Sequence, residues 1–359
     1  MPGALDGIRI IDVTSVLLGP YATQMLGDMG ADVIKVEGPP TGDIARNMGT
    51  VRSVNMGGIF LNANRNKRSL ALDLKQDAAK EVLRRLIPTG DVFVHNMRPK
   101  AMAALGFDYD AVAALKPDVI YVGAYGFGQD GPYRAKPAYD DAIQAASGLS
   151  SLFVRQDGQA RYVPSAMADK VVGLTLSQAI AVALLHKERT GEGQFVEVPM
   201  LETMVSFNMI EHLNGQAYVP PDGEMGYQRV TTPSRRPFPT SDGHVCILPY
   251  SDRHWSKFFT AVGRPELMED PRFSTYRART HTSRTRYPIL PPDLLNHALV
   301  FAFRITAENE AAHSRLLLGE IPAIVRAPRC QVIDLQAHLF WLTPRRKHTS
   351  DAFTSSVFH

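Results

Sequence analysis

Cysteine is scarce in this sequence, and neither sign of charge is in large excess. The 359 residues include two cysteines, Cys246 and Cys330, which are far apart and form no C-x-x-C pair. This excludes a readable disulfide framework or cysteine zinc site and predicts a reducing, cytoplasmic location. Lys and Arg number 39 against 36 Asp and Glu, so the net charge of +3 predicts no nucleic-acid partner. A small anionic ligand remains open.

Long apolar runs are also missing. The most apolar stretch, over 171–185, is short and interrupted by polar residues, and the N-terminus has no basic segment followed by an apolar one. We therefore predict no membrane-spanning segment, no targeting segment and no membrane partner.

The usual signatures of nucleotide, metal and hydrolase chemistry are absent or incomplete. No G-x-x-x-x-G-K-[ST], G-x-S-x-G or H-x-x-x-H pattern occurs, so ATP hydrolysis, a serine nucleophile and a metal site are not indicated. Gly126, Gly128 and Gly131 match G-x-G-x-x-G, but Pro132 and a polar stretch follow where a nucleotide-binding helix would begin. We predict a flexible glycine loop here, without NAD.

What remains is the composition of an ordinary globular protein. Hydrophobic residues make up 45% of the chain and charged residues 21%, with 27 Gly and 25 Pro. These values argue against disordered, collagen-like and coiled-coil proteins. The length favours one large domain with a smaller one.

Apolar β-type runs alternate with helical periods through the first 125 residues. The clearest helix is 77–86, and the strand candidates are 8–13, 32–37, 68–74, 91–96 and 118–125. This alternation predicts crossover connections and a mostly parallel sheet covered on both faces. Ligands of such sheets bind at the carboxyl ends of the strands, so the loops that follow these strands form the candidate binding region.

One carboxylate occupies an unusual position. Asp169 lies at the N-terminal edge of an apolar helix predicted over 171–187. An N-cap is the commoner role for an isolated aspartate at a helix start. The other interpretation is a nucleophile, because helix-end N–H groups favour an ionised carboxylate and a carboxylate can attack an activated acyl group. Spacing alone does not choose between the two.

Several segments combine into a pattern more specific than any single motif. In chain order they include LDGIRIIDVTSVLLGPYATQMLGDMGADVIKVE, TGD with Arg46, NRNKRSLALDLK, DVFVHNMRP, LGFDYDAVAALKPDVIYVGAYGFGQDGPY, YDDAIQAASG, MADKVVG and KERTGEGQFVEVPMLE. Over about residues 5–275 the chain thereby resembles the class III CoA-transferases, the CaiB/BaiF family, which also contains α-methylacyl-CoA racemase. The resemblance weakens after about Thr280.

The resemblance implies a fold that composition does not show. We expect an α/β protein with a Rossmann-like, CoA-binding large domain over 1–200, a linker over 201–225 and a smaller α+β domain over 226–329. The C-terminal segment 330–359 is expected to rejoin the large domain. The family also implies an obligate homodimer of two interlocked chains, since such an interface would be very large.

The same resemblance implies that Asp169 is catalytic. Its carboxylate would attack the thioester of a donor acyl-CoA to give a mixed anhydride and CoA thiolate, and an aspartyl-CoA thioester would follow. An acceptor carboxylic acid would then leave as the new acyl-CoA. Exchange of one thioester for another is nearly isoenergetic, so no ATP, metal or tightly bound cofactor is expected, and coenzyme A enters as a substrate. Acceptors from oxalate-like to branched or aromatic acids stay open.

Binding positions follow from the resemblance as well. Those for CoA are Leu72, Lys75, Asn96, Arg98 and Lys136, and those for the acyl substrate are Leu17, Leu18, Tyr139 and Asp140. Two positions where family members often carry a basic residue hold Gly38 and Ala104. The neighbouring cations expected to compensate are Arg98, Lys100, Lys67 and Arg68.

Three alternatives stay open at this point. The racemase reaction needs a second acid or base opposite the aspartate, and Tyr139 stands where racemases of the family carry a histidine. A tyrosine is a poor base near neutral pH, so we favour the transferase. A CoA-binding protein without turnover, with Asp169 only as an N-cap, and a dehydrogenase without CoA are the other two.

Overall fold

The computed structural model describes residues 3–233, 235–239, 244–247, 249–276, 278–279, 324–327 and 330–333. The chain divides into two compact units between Tyr227 and Gln228.

The first unit contains a six-stranded parallel sheet. Its strands are β1 (Arg9–Val13), β2 (Asp32–Glu37), β3 (Lys67–Ala71), β4 (Val92–His95), β5 (Ile120–Tyr125) and β6 (Gln194–Pro199). They lie in the order β3-β2-β1-β4-β5-β6, and every neighbouring pair is parallel. The predicted α/β class with a mostly parallel sheet is thereby confirmed. The strand order reverses between β1 and β4, where doubly wound sheets bind their ligands.

Nine helices connect or flank these strands within the described part of the first unit. They are α1 (Leu18–Asp28), α2 (Gly58–Ala63), α3 (Asp77–Leu86), α4 (Pro99–Leu105), α5 (Tyr109–Leu115), α6 (Asp140–Ala146), α7 (Leu149–Asp157), α8 (Met167–Thr190) and α9 (Met200–His212). Short 3-10 turns lie at Ile44–Asn47, Ile87–Thr89 and Asn214–Ala217.

Each face of the sheet has its own apolar core. Successive side chains of a strand point to opposite faces, so Ile10 belongs to the core that contains α1 and α8, whereas Ile11 belongs to the core that contains α3 and α5. Val92 and Phe93 are divided in the same way. The sheet is therefore covered on both faces, as the continuous apolar runs predict.

Helix α8 carries a buried stripe that includes Val172, Leu176 and Ile180. Its 24 residues make it the one helix among the described residues long and apolar enough to cross a membrane. In the structure it packs against α1 and β6, and Lys187 near its end pairs with Asp91 and Asp118. It serves here as a core helix of the first unit.

The second unit has its own sheet and apolar core. Its described elements are α10 (Gln228–Thr231), β7 (Phe238–Pro239), β8 (His244–Ile247), α11 (Asp252–Ala261), a 3-10 turn at Pro265–Met268, β9 (Ile324–Ala327) and β10 (Cys330–Ile333). The strands of this sheet lie in the order β7-β8-β10-β9. Trp255, Phe259 and Phe273 belong to one buried apolar cluster of this unit.

The structure differs from the expected domain plan at two places. The segment predicted as a linker, 201–225, begins inside α9, whose Met200, Met204 and Asn208 are buried in the first unit. The start of the segment expected to rejoin the large domain, 330–333, forms β10 and pairs with β8. Residues 334–359 lie outside the described residues.

Candidate active site

A cavity opens at the carboxyl ends of the strands, beside the reversal of strand order. Its volume is about 260 Å³. The loops after β1, β4 and β5 line it together with the first residues of α6, α8 and α9. Eight of the ten predicted site residues meet there: Leu17, Leu18, Asn96, Arg98, Lys136, Tyr139, Asp140 and Asp169.

Asp169 lies in the first turn of α8 and is partly buried. The N-cap of α8 is Ala166, which makes no side-chain capping bond, so the interpretation of Asp169 as an N-cap is wrong. Among the described residues no donor hydrogen-bonds the Asp169 carboxylate. Burial, reinforced by the negative charge of Asp140, raises its pKa to about 6. The pKa of Asp169 is therefore raised, whereas the helix N-terminus is expected to favour the ionised carboxylate and so to lower it.

Asp140 is held in place from two sides. Its Oδ2 accepts the backbone N–H of Asp169 at 2.9 Å, and its Oδ1 accepts the side-chain N–H of Gln144 at 2.5 Å. Gln144 is fully buried, and its Oε1 accepts the backbone N–H of Val163 at 2.9 Å. The Asp140 carboxylate is therefore engaged, whereas that of Asp169 stays open to the cavity.

Asn96 follows β4 and reaches across to the loop after β1. Its Oδ1 accepts the Ser15 backbone N–H at 2.9 Å, and its Nδ2 donates to the Ser15 carbonyl at 2.8 Å. The Asn96 side chain, which the resemblance assigns to CoA binding, is thus hydrogen-bonded to both the N–H and the carbonyl of Ser15. The next residues of that loop, Val16 to Leu18, line the cavity.

A buried network of charges lies below this loop. Asp12 pairs with Lys67 at 3.1 Å, and Lys35 pairs with Asp43 at 2.9 Å. Burial disfavours the ionised form of Asp12, but Lys67 and Lys35, with hydroxyl donors, hold its pKa well below its usual range. Burial lowers the pKa of Lys67 to about 8 against the attraction of Asp12. Such buried pairs are costly to break on one side only.

Three cationic side chains line the cavity. Lys136 Nζ lies 3.9 Å from the ring centroid of Tyr133. The guanidinium groups of Arg98 and Arg134 have no partner among the described residues. Unpaired cations beside a cavity suit an anionic ligand.

The comparisons with known proteins agree with this site. The sequence model of CoA-transferase family III matches residues 5–311. The chain belongs to CoA-transferase family III. It is 35% identical over 289 residues to the probable fatty acyl-CoA transferase Rv3272 of Mycobacterium tuberculosis, covering 77% of this chain and 73% of that one. It is 35% identical over 281 residues to the succinate–glutarate CoA-transferase of Agrobacterium fabrum, covering 77% and 70%.

Solved structures give the same assignment. A CAIB/BAIF family protein from Brucella suis superposes with a TM-score of 0.71 at 30% identity, covering 87% of this chain and 82% of that chain. The predicted family and the prediction of an enzyme, a CoA-transferase, are confirmed.

Two predicted CoA contacts of this CoA-transferase lie away from the cavity. Leu72 packs against the core that contains α3, and Lys75 is exposed on the loop before that helix. Their contact with CoA stays a prediction, since neither residue lines the cavity that holds Asp169.

Two of the cations expected to compensate for Gly38 and Ala104 are engaged elsewhere. The Lys67 side chain is 2% exposed and bound to Asp12. Arg68 pairs with Asp32 at 2.6 Å near the amino ends of β3 and β2. Arg98 and Lys100 are exposed and remain candidates.

The glycine loop after β5 is tethered, contrary to the predicted flexible loop. Gly128 N–H donates to Glu202 Oε1 at 2.9 Å, and Gln129 N–H donates to Glu197 Oε1 at 2.8 Å. A Cβ at Gly126 would lie 2.1 Å from the Ala138 Cβ, so a side chain there has no room. Glycine is required for close packing.

Sequence reasoning missed three residues of this site. Gln129 and Arg134 line the cavity, and Asp43 supports its wall from behind. Asp43 lies in the segment TGD and Gln129 in GFGQDGPY, both part of the family pattern, and Arg134 directly follows the second segment, but spacing gives no role to these single residues. Among the described residues no group of His, Cys, Asp and Glu is arranged to hold a metal ion.

Proposed function

We propose that this CoA-transferase moves CoA from a donor acyl-CoA to an acceptor carboxylic acid through covalent intermediates on Asp169. One observation carries the proposal: Asp169 is the cavity carboxylate whose oxygens accept no hydrogen bond from the described residues, whereas Asp140 is engaged on both oxygens. A carboxylate without donors is a better nucleophile than one that is held by them.

The reaction proceeds in four displacements. The Asp169 carboxylate attacks the thioester carbon of the donor. The C–S bond breaks, CoA thiolate is expelled, and a mixed anhydride of Asp169 and the donor acid is formed. The thiolate attacks the Asp169 acyl carbon, which releases the donor acid and leaves an aspartyl-CoA thioester. The acceptor carboxylate attacks this thioester and expels the thiolate, which then attacks the acceptor carbonyl. Acceptor-CoA and free Asp169 result, with atoms and charges balanced.

The cations of the cavity support the binding of an anionic substrate. Arg98, Arg134 and Lys136 stand on its wall, and CoA carries several phosphate charges. The similarity to a succinate–glutarate CoA-transferase favours dicarboxylic acids as donor and acceptor. Succinyl-CoA with glutarate is therefore the first pair to assay.

The racemase reaction is less well supported by the site. It needs a second base near the α-carbon, and Tyr139 is 78% exposed at the position in question. Its phenol is exposed, and no base among the described residues is paired with it to activate it. An acyl-CoA deuterium-exchange assay in heavy water separates the two reactions, because only the racemase removes an α-proton.

We further propose that the enzyme is a homodimer with intertwined chains. On α8 the apolar side chains of Leu174, Val182 and Leu185 are exposed, and on α9 so are Phe207 and Ile210. Exposed apolar side chains concentrated on two adjoining helices favour a protein partner over water. Light scattering should give twice the chain mass down to the lowest concentration measurable; a monomer would contradict the proposal.

Intact mass spectrometry tests the mechanism. After brief incubation with succinyl-CoA, the wild type should carry a succinyl or CoA adduct that peptide mapping assigns to Asp169. Asp169→Asn should carry none and transfer no CoA. An Asp169→Asn variant that still transfers CoA would overturn the proposal.

A further inference from the structure

Val16 has a backbone conformation that its side chain disfavours. Its φ is +71°, in the left-handed region, and the other described non-glycine residues with positive φ are three asparagines, Asn55, Asn66 and Asn214. Asparagine tolerates this region, whereas a β-branched side chain is strained there. Strained residues persist when their surroundings hold them, and they cluster at functional sites. Val16 lies on the cavity wall that also includes Leu17 and Leu18.

Asp43 holds the peptide group of Val16 directly. Its Oδ1 and Oδ2 lie 3.0 and 3.2 Å from the Val16 nitrogen and accept its N–H. The same Oδ2 lies 2.9 Å from Lys35 Nζ, and the two side chains are 1% and 2% exposed. Lys35 also donates to the Thr14 carbonyl at 2.9 Å. One buried ion pair therefore fixes the loop on both sides of Ser15.

Asp43 is itself fixed from behind. Its backbone N–H donates to Glu37 Oε2 at 2.9 Å, and its Oδ1 accepts the Ala45 N–H at 2.9 Å. Glu37 is held by Arg46 through two contacts of 2.8 and 2.6 Å. Asp43 has no place on the cavity wall, so it cannot touch a substrate there.

We propose that Asp43 is a positioning residue for acyl transfer: by accepting the Val16 N–H it holds the loop after β1 in the left-handed conformation that shapes the cavity beside Asp169. This rests on the proposed function, because it assumes that the cavity is where the acyl group reacts. Small displacements of a positioning wall lower turnover more than they lower affinity.

A double-mutant cycle tests the proposal. Asp43→Asn removes the charge that pairs with Lys35 and weakens the hydrogen bonds to the Val16 N–H. The kcat for CoA transfer from succinyl-CoA to glutarate should therefore fall about tenfold or more. The KM for succinyl-CoA should stay within about twofold of the wild-type value. Glycine adopts positive φ without strain. Adding Val16→Gly to Asp43→Asn should therefore restore at least about half of the lost log kcat.

A matched control separates this role from a general effect of glycine. Asn55→Gly also relaxes a left-handed residue, at φ +60°, but outside the cavity lining. It should leave kcat unchanged alone and rescue nothing when combined with Asp43→Asn. An unchanged kcat in Asp43→Asn, an effect confined to KM, or no rescue by Val16→Gly would overturn the proposal.

Two further measurements keep the result unambiguous. If Asp43→Asn does not fold, the same cycle on a Lys35→Met background leaves no buried cation without its counter-charge, and the same rescue is expected. Adduct formation on Asp169 in the wild type reports on the proposed mechanism alone. A wild type that transfers CoA without an adduct would refute that mechanism, whereas the coupling between positions 16 and 43 would still decide the positioning role.

Discussion

The Asp140 Oδ2 atom accepts the backbone N–H of Asp169 at 2.9 Å, which places two carboxylates side by side at one cavity. The bond fixes Asp140 against the first turn of α8 and directs its negative charge at the proposed nucleophile. A carboxylate with a pKa near 6 is still ionised at neutral pH, yet it is more basic than an ordinary aspartate. Higher basicity makes it a stronger nucleophile toward a thioester.

The pH dependence of turnover should report this pair. Because only the ionised Asp169 attacks, kcat/KM should rise with pH through about 6 and then level off. Asp140→Asn keeps an acceptor for the Asp169 N–H but removes the charge, so the apparent pKa should fall. It should stay above 3.8, because burial is the larger cause and remains.

Steady-state rates with succinyl-CoA and glutarate from about pH 5 to about pH 8 measure this shift. Asp141→Asn, on the exposed side of the same helix, is the control and should keep the wild-type profile. An Asp140→Asn profile that coincides with that of the wild type would show that the neighbouring charge does not act on Asp169.

Stability should change in the opposite sense to activity. The folded-state pKa of Asp169, about 6, is above its ordinary value of 3.8, so the folded protein binds more protons between these pH values. The free energy of unfolding therefore falls as pH rises through this window, and the full penalty applies above about pH 6. Asp169→Asn removes the penalty and should gain about 1–2 kcal/mol at neutral pH.

Urea unfolding at two pH values checks the sign. The gain from Asp169→Asn should be present at about pH 7.5 and vanish at about pH 3, below the ordinary value of 3.8, where Asp169 is mostly neutral in both the folded and the unfolded protein. Asp141→Asn should give no such pH-dependent difference. A gain of equal size at both pH values would mean that packing, and not ionisation, distinguishes the variant.

The sheet could be predicted from the sequence because its signal is local. The run 118–125 is apolar on both faces, and such strands are typical of a parallel sheet that is covered on both sides. The helix Asp77–Leu86 likewise carries its own apolar stripe and exposed charges.

The environment of each site residue could not be predicted in the same way. Asp140 and Asp169 are 29 positions apart, and Asn96 and Ser15 are 81 positions apart, so only the folded chain brings them together. The family pattern identified Asp169 and Asn96 as important. It could not show that the Asn96 amide is occupied by the loop after β1, because spacing within one sequence carries no information on such partners.

Asn96 should therefore act on turnover more than on CoA affinity. Asn96→Ala leaves the N–H and C=O of Ser15 without partners, which should cost about 1–3 kcal/mol of stability and lower kcat about tenfold. KM for acyl-CoA should change less than about threefold if the side chain only holds the loop. Steady-state kinetics and urea unfolding of the same variant give both numbers.

The alternative for Asn96 makes the opposite prediction. If its amide binds CoA directly, KM should rise while kcat and stability stay near the wild-type values. Asn96→Asp, which keeps an acceptor for the Ser15 N–H but places a charge beside the Ser15 carbonyl, should resemble Asn96→Ala in kcat under the loop interpretation.

The unpaired arginines of the cavity, Arg98 and Arg134, should contribute to the affinity for acyl-CoA. Arg134→Gln removes one charge from the wall without breaking any ion pair among the described residues, so stability should be unchanged. KM for succinyl-CoA should rise about tenfold with kcat nearly constant, because an arginine bound to an anion contributes a charge-assisted contact that glutamine cannot replace. Raising the salt concentration should weaken binding to the wild type more than to Arg134→Gln, since screening acts on the charge that the variant lacks.

Arg189→Gln, in the last turn of α8 and outside the cavity, should alter neither KM nor its salt dependence. Equal effects of the two variants would mean that the net charge of the protein attracts CoA, and that Arg134 has no particular part in the site.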